Sequence, residues 1–232
     1  MAISEELLQR LRKSRAFIFD LDGTLIDSVE AHVTSWVASF NYVGYSGVTR
    51  DDVRKLIGLS GRDIVRTLLG DSGLRKYSLI RRLKNKVFFL EIKEGNVDLY
   101  PCVLELLTYL RTTDTLLGLA SSTPNYLLIQ ILEIFDIMDY FDAIVGGNEV
   151  ESGKPNPDIF VKAFSKLGVS PREGAVVGDT YYDVIPANRI GAFSVLVLHG
   201  NTASHNIARA INEALPKLKV RSLCELLDIL KS

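Results

Sequence analysis

The sequence predicts an α/β protein: a parallel sheet covered by helices on both faces, with an α-helical unit inserted after the first strand. Three observations lead there. Short apolar runs recur along the chain, namely AFIF (16–19), LLGLA (116–120), AIV (143–145), AVV (175–177) and SVLVL (194–198). They are near-continuous rather than alternating, as expected of parallel strands buried on both faces. Helical patterns separate them, and from residue 29 to about 97 no strand-like run occurs.

In chain order, MAISEELLQRLRKSR is an amphipathic helix of mixed charge that leads into AFIF. The inserted block reads as four helices: EAHVTSWVASFNYVG, TRDDVRKLIG, SGRDIVRTLLG and LIRRLKNKVFFLEIK. Thr49 and Ser60 are expected N-caps, each with an Asp three residues on, a variant of the capping box. After the block, PNYLLIQILEIF starts a helix at Pro124 and PDIFVKAFSKLG ends one at Gly168. YYDVIPANRIG ends similarly at Gly191, with Pro186 limiting that helix to a short or bent one. These readings give an α/β core from residues 1–28 and 98–232 and a helical cap from 29–97. The two crossings, near residues 27 and 98, are expected hinges.

Composition narrows the classes of function. Over 232 residues, 47% are hydrophobic and 24% charged, the balance of a globular protein. A net charge of −1 gives no electrostatic footprint for nucleic acid or an anionic membrane. Apolar stretches such as YLLIQILEIF are interrupted well short of membrane-spanning length, and the N-terminus lacks a signal-peptide h-region. Two cysteines, Cys102 and Cys224, occur without CxxC or Cys/His spacing. They argue against a disulfide scaffold or a zinc site and for a reducing compartment, so a cytoplasmic location is expected. Cys102 is read as a packing residue.

Chemistry enters with AFIFDLDGTLIDS (16–28), where a buried run meets Asp20 and Asp22. Like charges near a core repel and are costly, so a plain turn is the simplest reading. The other strands favour a different one. Ligands of open α/β sheets bind beyond the carboxyl ends of the strands. There stand Ser121, Ser122 and Thr123 after the second run, Lys154 in ESGKPNPDIF after the third, and Asp179 and Asp183 in GDTYYD after the fourth. Carboxylates, hydroxyls and one ammonium would thus share a crevice. That set suits phosphoryl transfer: a carboxylate nucleophile, a Mg²⁺ ion held by hard oxygens, donors for the equatorial oxygens and a second carboxyl to move protons.

With DLDGTL (20–25), LASST (119–123), GKPNPDIF (153–160) and VVGDTYYDV (176–184) in this order, the sequence resembles the haloacid dehalogenase-like superfamily. The likeness is to its phosphatase branch with a helical cap. The resemblance implies a three-layer, Rossmann-like core and Mg²⁺-dependent hydrolysis of small phosphate monoesters through an aspartyl-phosphate. Phosphoglycolate and sugar phosphates are the implied substrates. Asp20 matches the nucleophile, and Asp22 the general acid/base, whose backbone carbonyl is the usual metal ligand. Ser121 matches the phosphate-binding hydroxyl, assisted by the Ser122 N–H, and Lys154 matches the neutralising lysine. Asp179 matches the carboxylate completing the metal site, while Asp183 either ligates the metal or orients its ligands. Gly23 is expected to permit the turn over the phosphate, and Thr24 to hydrogen-bond locally.

Outside these motifs, Glu30, His32 and Trp36 form ExHxxxW at the start of the cap. A similar pattern occurs in relatives acting on sugar phosphates, but a packed helix is the favoured reading. Arg62 in GLSGRD is expected either to reach a substrate anion or to stay on the surface. Asn125 follows the phosphate-binding loop and is expected either to serve it or merely to begin a helix, and His199 and His205 are expected to be solvated. A phosphomutase on the same scaffold, of the beta-phosphoglucomutase type, and a non-catalytic metabolite-binding protein are the alternatives. The expected partner is a small phosphorylated metabolite, with no nucleic acid or membrane, and the chain a monomer or homodimer.

Overall fold

The structure is a computed structural model that describes residues 4–57, 59–199 and 215–232. The chain forms two compact units, one from residues 1–26 and 99–232 and one from 27–98. The crossings are themselves paired: Ile26 bridges Leu99 in antiparallel fashion, and the Asp27 N–H donates to the Asp98 carbonyl.

The larger unit holds a six-stranded parallel sheet in the order β3-β2-β1-β4-β5-β6. The strands are β1 (Ala16–Phe19), β2 (Leu116–Ser121), β3 (Ala143–Gly146), β4 (Gly174–Gly178), β5 (Phe193–Val197) and β6 (Leu218–Val220). Of these, β6 was not read from the sequence. It is three residues long, and only its Leu and Val are buried, so it lacks the continuous apolar run that marks the others.

The helices are α1 (Glu5–Arg12), α6 (Val103–Thr112), α7 (Asn125–Ile134), α8 (Asp158–Leu167), α9 (Tyr181–Arg189) and α10 (Leu223–Lys231). Side chains alternate across a strand, so Ala16 and Ile18 of β1 serve one face and Phe17 and Phe19 the other. On the first face, Ile159, Phe160, Ala163 and Phe164 of α8 form a core with Ala16, Ile18, Ala120 and Val145. α8 stops at Gly168 in the left-handed conformation, and α9, which contains Pro186, runs for only nine residues. Strand order reverses direction at β1, the switch point where such sheets bind ligands.

In the smaller unit, α2 (Val29–Tyr42), α3 (Arg50–Arg54), α4 (Gly61–Arg75) and α5 (Tyr77–Lys93) surround Val33, Trp36, Phe40, Val53, Ile64, Val65 and Ile80. Thr49 accepts from the Asp52 N–H and Ser60 from the Asp63 N–H, as their sequence spacing predicts. α4 bends at Gly70. Trp36 is buried and stacks on Phe40, while His32 stacks on Phe88 with ring centroids 4.1 Å apart. Glu30 accepts from Arg50 and Arg54 on the surface of this unit. The packed-helix reading of ExHxxxW therefore describes this segment.

Two expectations are corrected. Cys102 and Cys224 are joined in a disulfide that ties the start of α6 to α10 across 122 residues of sequence. Cys102 has φ +66°, and at that distance along the chain no spacing signal could pair the two residues. His199 is half-buried and packed rather than freely solvated. Its ring stacks on Tyr100 with centroids 3.6 Å apart, and its Nε2 lies 3.0 Å from the Thr24 carbonyl oxygen. His205 lies outside the described residues.

Candidate active site

The ends of β1, β2 and β4 and the loop after β3 bring the charged groups together. Lys154 is their centre. Its Nζ donates to Asp20 Oδ1 at 2.6 Å, Asp183 Oδ1 at 2.7 Å and the Ala120 carbonyl at 3.1 Å. Its side chain is only 7% exposed, against 11% for Asp20 and 2% for Asp183. This is a buried ion cluster, which holds only when its members satisfy one another.

Asp183 has a second duty. Its Oδ2 accepts from the Thr180 N–H and hydroxyl, closing the capping box that starts α9. Both of its oxygens are thus engaged by donors, one holding Lys154 and one holding the helix. Asp183 also stays close to Asp20 and Asp179.

Asp179 is half-buried and faces Thr24, whose fully buried hydroxyl lies 3.4 Å from Asp179 Oδ1. Gly23 makes this approach possible. It sits at φ +80°, and a Cβ there would overlap the Asp179 carboxylate, with Cγ 2.8 Å away. Any side chain at position 23 would meet both the left-handed backbone penalty and the clash.

The acids are crowded. One oxygen each from Asp20, Asp179 and Asp183 lies within 4.8 Å of the others. Burial, against the lowering charge of Lys154 and with repulsion from Asp183 and Asp22, raises the Asp20 carboxyl to about 7. Burial likewise raises Asp179, with Asp183 and Asp20 adding repulsion. Burial works to lower Lys154, but the Asp183 and Asp20 carboxylates overcome it and hold the ammonium above the ordinary lysine range. Three acids against one ammonium leave a surplus of negative charge among hard oxygens. That chemistry fits a small divalent cation such as Mg²⁺.

On the other side of Asp20, Asp22 is half-buried. Its Oδ2 accepts from the Thr123 hydroxyl at 3.1 Å and from Ser121 Oγ at 3.4 Å. Ser121 Oγ in turn accepts from the Thr123 N–H at 3.1 Å. This loop is braced from β3. A Cβ on Gly146 would overlap the Asn125 backbone, and one on Gly147 the Ser122 carbonyl. Glu149 accepts from the Gly146 N–H at 3.0 Å and from Asn125 Nδ2 at 2.6 Å, and pairs with Lys166 at 2.9 Å. Burial opposes ionisation of Glu149, yet the Gly146 N–H, Lys166 and Asn125 bring it down to about 2.

The structure thus gathers Asp20, Asp22, Gly23, Thr24, Ser121, Lys154, Asp179 and Asp183. Ser122 lies on the same loop but is exposed, and Asn125 begins α7 as read. Arg62 belongs to the helical unit, where it is exposed and its guanidinium lies 5.8 Å from the centre of the Tyr77 ring. The sequence reading placed Thr123 among the hydroxyls of the crevice without a role of its own, and did not single out Glu149 or the Gly146–Gly147 pair. The hydroxyl in the SST run was the one available signal for Thr123.

The sequence model of the haloacid dehalogenase-like hydrolase family matches residues 17–197. A phosphoglycolate phosphatase from Vibrio vulnificus is 30% identical over 221 residues, which cover 91% of this chain and 93% of that protein. Among solved structures, a hydrolase from Pseudomonas syringae superposes with a TM-score of 0.77 at 25% identity, covering 93% of this chain and 97% of the other. A beta-phosphoglucomutase from Clostridium difficile superposes at 0.75 with 24% identity over 94% and 97% of the two chains, a likeness of fold alone. The chain belongs to the haloacid dehalogenase-like hydrolase family, and it is an enzyme of the family's phosphatase kind.

Proposed function

We propose that the protein is a Mg²⁺-dependent phosphatase that hydrolyses small phosphate monoesters through an aspartyl-phosphate on Asp20. The observation that carries this reading is the contact between Lys154 Nζ and Asp20 Oδ1. It fixes one carboxylate oxygen and leaves the other to attack. Asp20 and Asp179, with the Asp22 carbonyl by family resemblance, would hold the ion. When bound, it supplies the positive charge that lets a carboxylate approach a phosphate dianion.

Asp20 attacks phosphorus while the leaving oxygen takes a proton from the Asp22 carboxyl. Water then attacks the phosphorus of the acyl phosphate, and Asp22 removes its proton. Lys154 neutralises charge on the nucleophile and the phosphoryl group throughout, and Ser121 donates to an equatorial oxygen. Asp183 holds Lys154 in place. The helical unit, residues 27–98, is the cap in this reading, and Arg62 is its candidate for a second anionic group on the substrate.

Phosphoglycolate comes first among candidate substrates because the matched Vibrio vulnificus protein is named for it. Release of phosphate from p-nitrophenyl phosphate, abolished by EDTA and restored by Mg²⁺, tests the reaction class. A panel containing phosphoglycolate and simple sugar phosphates then tests the substrate. Conversion of a sugar phosphate into its isomer without phosphate release would replace hydrolase by mutase. No turnover of any ester with Mg²⁺ present would overturn the reading.

A further inference from the structure

We infer that Thr123 is a positioning residue that aims the Asp22 carboxyl at the leaving oxygen. The inference rests on the phosphatase reading above and deepens it. Three hydroxyl-bearing residues follow β2, and the structure gives them different work. Ser122 is exposed. Ser121 Oγ accepts from the Thr123 N–H at 3.1 Å and lies 3.4 Å from Asp22 Oδ2, a weak contact that leaves its proton available to a phosphate. Thr123 makes the stronger contact with Asp22: its Oγ1 donates to Oδ2 at 3.1 Å.

Thr123 is built to stay where it is. It is 7% exposed, and its carbonyl accepts from the Gly147 N–H at 3.0 Å. Gly147 comes so close to the Ser122 carbonyl that no Cβ fits there, and Glu149 ties Gly146 to Asn125. The threonine side chain is also β-branched, so its rotamer is restricted. One oxygen of Asp22 is therefore held from the β2 loop, which sets the direction in which its carboxyl faces. An acid that must meet a leaving oxygen within hydrogen-bond reach gains from such restraint.

The test uses Thr123→Val, which keeps the shape and removes the hydroxyl, Thr123→Ser, which keeps the hydroxyl, and Thr123→Ala as a second deletion should valine disturb the fold. Melting temperature verifies folding. Single-turnover phosphorylation is measured with p-nitrophenyl phosphate, whose leaving group needs no proton, and with an alkyl phosphate, whose leaving group does. General acid catalysis contributes ~10²–10⁴-fold. Thr123→Val and Thr123→Ala are expected to slow the alkyl ester about 10-fold more than the aryl ester, and Thr123→Ser to restore most of the difference. A crystal structure of Thr123→Val should show the Asp22 carboxyl in a new orientation.

Equal losses for both esters, or a serine variant as impaired as the valine one, would overturn the inference, as would an unmoved Asp22. These results leave the phosphatase reading standing provided the unsubstituted enzyme hydrolyses both esters. Failure of the unsubstituted enzyme on both would remove the two together.

Discussion

Two charged clusters of similar make-up sit in the two units and differ in burial. In the helical unit, Glu30 accepts from Arg50 at 2.8 Å and from Arg54 at 2.8 and 3.0 Å, with side chains 40–60% exposed. In the sheet unit, Lys154 binds Asp20 and Asp183 at nearly the same distances but almost out of water. The pair distances say little about what each cluster is worth. Exposed pairs gain little because water screens them and long side chains lose freedom. Buried pairs carry a desolvation penalty that their attraction only partly offsets. A fold that needed only stability would fill the second place with apolar side chains, so the buried cluster points to chemistry.

The largest effect should come from Lys154→Met. Removing one partner of a buried pair leaves uncompensated charge and costs about 3–5 kcal/mol. Urea denaturation at pH 8 without metal should show a loss of that order, together with loss of turnover. At pH 5 the loss should be smaller, because a proton on Asp20 replaces the missing cation.

The same carboxylate sets the pH dependence of the metal-free protein. With its folded-state value raised from 3.8 to about 7, Asp20 binds more protons folded than unfolded between those values. Stability therefore falls as pH rises through that window. A divalent ion needs the ionised acids and competes with the proton, so added Mg²⁺ should raise the melting temperature more at pH 8 than at pH 5. An equal rise at both would mean the acid cluster is not where the ion binds.

Glu149 is the intermediate case. Replacing it by Ala strips Gly146 and Asn125 of their acceptor and should cost about 1–3 kcal/mol by denaturation at pH 7. Its folded-state value is lowered from 4.5 to about 2. Its contribution is thus fully present above pH 4.5 and is lost as pH falls towards 2, so the difference from Glu149→Ala should shrink over that range. Glu30→Gln marks the small end: on the surface it should shift stability by about 1 kcal/mol or less. A loss as large as that of Lys154→Met would erase the contrast between the two clusters.

The sequence reveals these regions unequally, and the reasons are physical. Strands β1 to β5 stand out because both their faces are buried, so they read as unbroken apolar runs. Asp20, Lys154 and Asp179 stand out because carboxylates and an ammonium at strand ends need a reason to be there. The residues that brace them carry no such mark. Thr123 is one of three consecutive hydroxyl-bearing residues, and only the fold turns it towards Asp22. Gly146 and Gly147 matter through close approach to residues more than 20 positions earlier. His199 looks like a lone polar residue after a strand until Tyr100 and the Thr24 carbonyl arrive from elsewhere in the chain. The Cys102–Cys224 disulfide spans 122 positions, a distance over which spacing carries no signal.

Transfer of the phosphoryl group to Asp20 is the centre of the account, and borohydride trapping tests it most directly. An acyl phosphate is reduced by borohydride to an alcohol, converting the modified aspartate into homoserine. The enzyme is mixed with Mg²⁺ and p-nitrophenyl phosphate, quenched in acid during turnover, reduced, and mapped by peptide mass spectrometry. The account predicts homoserine at position 20, at no other aspartate, and at no position in Asp20→Asn. Homoserine at another aspartate, or ongoing turnover with no homoserine anywhere, would contradict it.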